Sequence, residues 1–123
     1  MGRKNEEDFG GTEKKVRRLL GELGIPRTGQ GFSVVADVVV MALESEEVYG
    51  SLTKEIYPEI AKKRGKSAAA VEKAAREALQ KGWTIGDRER FREVFGDSYR
   101  PSKGRPTVGE FLTAAKDYLD FAA

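Results

Sequence analysis

The stretch Gly31 to Glu44 reads GFSVVADVVVMALE, and its two competing readings decide what the rest of the chain can become. Its β-branched residues favour a strand, while its length and spacing favour a helix. A strand needs a neighbour to complete its backbone hydrogen bonds, and no other segment of the sequence reads as one. As a helix, it places Phe32, Val35, Ala36, Val39, Val40 and Leu43 on one face and Val34, Val38 and Met41 on a second apolar side. The prediction is a central helix buried nearly all round, in an all-α domain.

The remaining segments supply its partners. The opening MGRKNEEDFGGTEKK is polar and contains glycine, so residues 1–11 are expected to form a flexible N-terminal segment. In KKVRRLLGELG, Val16, Leu19, Leu20 and Leu23 recur at helical spacing, and Gly24 and Pro26 stop the helix. A shorter helix is predicted between Leu52 and Arg64, starting near Tyr57 because Pro58 is tolerated only in a first turn. Gly65 ends it, Ser67 caps the next, and a long helix is predicted from about Ala68 to Gly82. Phe91, Val94 and Phe95 support a short helix over Arg88 to Phe95, stopped by Gly96. A basic, turn-rich loop, GDSYRPSKGRP, follows. Thr107 with Glu110 three residues on is a capping box for a last helix, whose stripe is Phe111, Ala114, Ala115, Tyr118 and Leu119. The total is a five- to six-helix bundle.

Composition excludes most chemistry. At 123 residues the chain has room for one core, and its 34% charged content marks a strongly solvated surface. It contains no cysteine and no histidine, which removes the thiolate nucleophile, the usual general base and the commonest zinc ligands. No metal or other cofactor is expected. The pair Asp87 and Glu89 reads as solvated charge rather than as a catalytic dyad. No run reaches the roughly 18 apolar residues of a membrane span, and no apolar signal segment opens the chain, so a cytoplasmic protein with no membrane association is expected. Net charge is only +2, yet Lys54 to Arg105 carries 14 basic against 8 acidic residues. A basic middle between acidic flanks points to one charged face.

That middle holds the functional candidates. A helix-turn-helix needs a small residue where its helices cross, here Ala61 beside Ile60, and a residue free to take positive φ in the turn, here Gly65. Val71, Ala74 and Ala78 would pin the second helix inward. Turning that helix by about 100° per residue places Ala69, Lys73, Arg76 and Gln80 on the opposite arc. Its start is stripped to alanine, which permits close approach to a groove floor, and Lys62, Lys63, Arg64 and Lys66 form a positive collar before it. Candidate base contacts are therefore Ala69, Ala70, Lys73, Arg76 and Gln80, with Lys62, Lys63, Lys66 and Ser67 on phosphates. A plainer reading remains beside this one: alanine chosen for helix propensity on a solvated helix, its positive field weakened by Glu72 and Glu77. Trp83 reads as a core plug beside Phe91 and Phe95 rather than as a base-stacking platform.

The stretch GSLTKEIYPEIAKKRGKSAAAVEKAAREAL, followed by GW and then by RPTVGEF, resembles the C-terminal DNA-binding effector domain of the master response regulator of sporulation initiation in spore-forming bacteria. The similarity runs from about Thr12 to Leu119 and includes ELGIP after the first helix. It implies a six-helix effector domain over residues 12–123 that binds a short promoter element, often in tandem copies, to activate or repress transcription. Double-stranded DNA is the implied partner, with RNA polymerase and a second copy on tandem sites as further candidates, in the cytoplasm at the nucleoid. Family arginines on the outward face of the recognition helix match Ala70, Lys73 and Arg76, and a family histidine matches Glu77. Lys103 and Arg105 match basic residues of the loop before the last helix, which implies phosphate contact. In the family a receiver domain precedes this unit; here some 50 residues precede the helix-turn-helix, so either the receiver was cut away or this is a stand-alone member. The alternative function is a helical protein-interaction module that has lost specific DNA recognition, for which Glu72 and Glu77 would be suited.

Overall fold

The computed structural model describes residues 10–44 and 52–122. Six α-helices carry the described fold: α1 (Gly11–Leu23), α2 (Gly31–Leu43), α3 (Tyr57–Arg64), α4 (Ala68–Ile85), α5 (Arg88–Phe95) and α6 (Val108–Ala122). There is no strand among the described residues. The segment expected to be flexible lies outside them as far as Phe9; Gly10 caps α1 and Gly11 opens it. The valine-rich stretch is helical, with Phe32, Val34, Val35, Ala36, Val38, Val39 and Ala42 buried. Helix α2 packs most extensively on α4 and α1, and also meets α3 and α6. Its one acidic side chain, Asp37, is not wasted against this apolar surround. Arg64 at the end of α3 donates to Asp37 Oδ2 from Nε at 3.1 Å and from Nη2 at 2.7 Å.

Pro58 shapes the entry to α3. It occupies the first turn of the helix as expected, but the chain before it, Leu52–Ile56, is already wound as a π-helical turn. Proline has no proton for the carbonyl four residues back, and its ring crowds that carbonyl; a widened turn accommodates both. Helix α4 runs to Ile85, three residues past the expected Gly82. Glycine there is a contact device rather than a stop: a Cβ on Gly82 would lie 2.6 Å from Ile25 Cγ1. The true end is Gly86, where the Asp87 amide donates to Leu23 O at 2.9 Å. Gly24 ends α1 at φ 87°, and the Ile25 amide reaches back to Leu20 O. The two caps predicted elsewhere, Ser67 and Thr107, both hold. Asp87 then caps α5, a role its neighbours in sequence did not announce.

Trp83 is the core plug expected, 9% exposed, with edge-on contacts to Phe91 at 5.2 Å and Phe95 at 6.5 Å between ring centres. Tyr99 joins them at 5.8 Å. Arg90 ties three helices at the opposite side of α5, donating to Glu22 of α1 and to the Tyr118 hydroxyl of α6, each at 2.7 Å. In α6 the Thr107 amide donates to Glu110 Oε1 and the Glu110 amide to Thr107 Oγ1. The Thr107 amide's bond to the ionised carboxylate, helped by the Thr107 side chain and the charge of Lys103, holds the Glu110 carboxyl below its ordinary value. Leu112 completes a stripe in which Tyr118 and Leu119 are only half-buried.

Candidate nucleic-acid interface

The turn between α3 and α4 is built by two residues. Gly65 takes φ 66°, ψ 38°, which only glycine adopts without strain, and the following Lys66 amide bonds back to Ala61 O at 2.9 Å. Ser67 is extended and its Oγ accepts from the Ala70 amide at 3.0 Å, as its expected capping role requires. The two helices therefore meet with Ile60 and Ala61 buried on one side and Val71 and Ala75 on the other.

Lys62, Lys63, Lys66 and Ser67 are all exposed around this turn. Arg64 is the member of the basic collar that the structure withdraws, because Asp37 holds it against α2. Lys66 Nζ donates to Gln30 Oε1, which brings the start of α2 alongside the turn. On α4, Ala69, Ala70, Lys73 and Gln80 are exposed and Arg76 is half-exposed. Helical geometry puts Ala69, Lys73, Arg76 and Gln80 within an arc of roughly 60°, with Ala70 standing to the side of it. Lys103 is exposed and Arg105 half-buried. They line a cleft of about 420 Å³ with Trp83, Phe95, Tyr99 and Arg100. Trp83 follows Lys73 by ten residues, so this second basic element sits about 15 Å further along the α4 axis. The candidates thus form two groups, one at each end of α4.

Both cations on the arc are already paired. Arg76 Nε lies 3.0 Å from Glu72 Oε2, and Lys73 Nζ lies 3.9 Å from Glu77 Oε1. The bond to Glu72 and the charge of that carboxylate raise the Arg76 guanidinium above its already high ordinary value. Tyr57 of α3, 5% exposed, lies close enough to feel both charges. Burial pushes its phenol up to about 12, Glu72 adding to the rise and Arg76 opposing it. The Glu72 to Arg76 spacing is a sequence signal for such a pair; the approach of Tyr57 from another helix has none. Among the described residues no group of acidic side chains could hold a metal ion, and no helix is long and apolar enough to cross a membrane.

The turn, the cap and the inward residues are thus arranged as a helix-turn-helix requires, inside a bundle that has six helices among the described residues. Residues 16–119, most of the sequence, match the family described as Sporulation initiation factor Spo0A C terminal. The chain belongs to that family of helical DNA-binding domains.

Proposed function

We propose that residues 12–123 act as a transcription-factor effector domain that binds duplex DNA sequence-specifically, with α4 in the major groove. The observation that carries this reading is the start of α4: an exposed, alanine-stripped first turn, preceded by Lys62, Lys63 and Lys66 and followed on one arc by Lys73, Arg76 and Gln80. Arg76 offers a fork to guanine, Lys73 a point charge, and Ala69 and Ala70 contact with thymine methyl groups. Lys62, Lys63, Lys66, Ser67, Lys103 and Arg105 contact phosphates on either side of that groove. RNA polymerase and a second copy on a tandem site are the partners this role requires, in the cytoplasm at the nucleoid.

Selection of bound sites from random duplexes, followed by affinity measured across salt concentrations, tests the reading. A contact set of this size should neutralise roughly 4 to 6 phosphates and give a log–log slope of about −4 to −5. No duplex binding at low salt would remove it. The second reading, a protein-interaction module, draws on the pairing of both arc cations with carboxylates. Binding to a protein partner with a shallow salt slope would favour that one.

A further inference from the structure

Two ion pairs of the same spacing lie on the outward side of α4, and they differ in kind. Lys73 and Glu77 approach only to 3.9 Å, with side chains 67% and 50% exposed. Arg76 and Glu72 are in hydrogen-bond contact at 3.0 Å through Nε alone. A guanidinium has five N–H groups, so the four on its terminal nitrogens stay available, and these form the edge that fits guanine O6 and N7. Tyr57, a buried side chain from α3, lies near enough to feel the charge of both partners. Arg76 is thus held by a hydrogen-bonded carboxylate, whereas Lys73 has only a longer ion pair and is more exposed.

Resting on the DNA-binding reading above, we propose that Glu72 is a positioning residue: its carboxylate grips Arg76 Nε and presents the terminal guanidinium edge to the groove. The base preference at the position Arg76 reads then belongs to the pair. A mobile arginine must surrender its rotamer freedom on binding, and it does so at a correct and an incorrect base alike; one fixed beforehand discriminates by geometry. The negative charge of Glu72 opposes phosphate generally, so its removal has opposite effects on specific and non-specific binding. That opposition separates positioning from simple electrostatics.

Fluorescence anisotropy on duplexes that differ by single base pairs, at one salt concentration, tests the proposal with Glu72→Ala, Glu72→Gln, Arg76→Ala and the Glu72→Ala/Arg76→Ala double variant. Glu72→Ala should lower discrimination at the Arg76 base pair by about 3- to 10-fold, in the lower part of the range of coupling between touching residues, while non-specific affinity holds or rises. Glu72→Gln keeps the acceptor and volume and should retain most of the discrimination. In the Arg76→Ala background, Glu72→Ala should change discrimination by less than about 2-fold. A Glu72→Ala variant that binds its preferred site more tightly with unchanged discrimination would show that Glu72 withholds Arg76 instead. Loss of preference at another base pair, persisting without Arg76, would show that Glu72 reads a base itself. Each of these outcomes overturns the proposal while leaving DNA binding intact; a wild-type protein with no preference among duplexes would overturn both.

Discussion

The two halves of α4 share one backbone and little else. From Ala68 to Arg76 the helix buries only Val71 and Ala75, while from Ala78 onward it buries Ala78, Leu79, Gly82 and Trp83. At about 25 cal/mol per Å² of apolar surface, a leucine and a tryptophan outweigh a valine and an alanine about twofold. The rear half is held by the core, and the front half extends from it with its outer arc open. A rooted rear half with a bare tip would let one helix carry both stability and the proposed recognition without conflict, since different residues serve each.

The largest effect that could break this division is Trp83→Ala. It removes a buried ring with three aromatic neighbours and should cost about 3–5 kcal/mol in urea unfolding, whereas Gln80→Ala on the outer arc should change stability by under about 0.5 kcal/mol. Comparable losses at both positions would erase the distinction. Next comes recognition: Arg76→Ala should cost about 1 to 3 kcal/mol on the preferred duplex and flatten one base pair, while Lys103→Ala weakens all sequences alike. Equal losses on every sequence for Arg76→Ala would place the front half against the DNA backbone. Ser67→Ala frees the Ala70 amide and should cost about 1 kcal/mol of stability, with hydrogen exchange accelerating first at 68–71 rather than at 79–83. The smallest effect concerns Tyr57, beneath the front half. Its phenol, raised to about 12, stays protonated in the folded state where the unfolded chain ionises near its ordinary value, so its share of stability is present below about pH 10 and lost as pH rises toward 12. Ultraviolet titration should show one late-ionising tyrosine that Tyr57→Phe removes; early ionisation would mean that α3 does not shield the front half.

What could be read from sequence divides along similar lines. The helical identity of Gly31–Leu43, the Gly65 turn, the Ser67 cap and the Thr107–Glu110 box are local decisions, made by residues within a turn of one another, and the fold keeps them. The inward side of α4 is legible from rotation, although the fold also buries Leu79 and leaves Ala74 only half-buried. What stayed hidden are meetings between distant residues. Nothing near Arg64 in the chain reveals that Asp37 claims it, so it read as one more member of the positive collar. Nothing near Gly82 reveals Ile25, so the glycine read as a terminus. The π-helical turn before Pro58 follows from proline chemistry, yet whether a chain widens or breaks there depends on what α3 packs against.

The close approach at Gly86 limits how this recognition unit could be reused. A Cβ there would fall 2.1 Å from Leu23 O and 2.3 Å from Gly82 O, and one on Gly31 would fall 2.8 Å from Ala78 Cβ. The seat of α4 is therefore cut partly by α1 and by the start of α2, segments that lie outside residues 52–86. A graft of the two-helix unit onto another scaffold would carry the proposed reading residues but not the socket that sets their tilt. The smallest transplantable piece begins no later than the first helix, and a protein engineer seeking new DNA preferences would do better to vary positions 69, 70, 73, 76 and 80 in place.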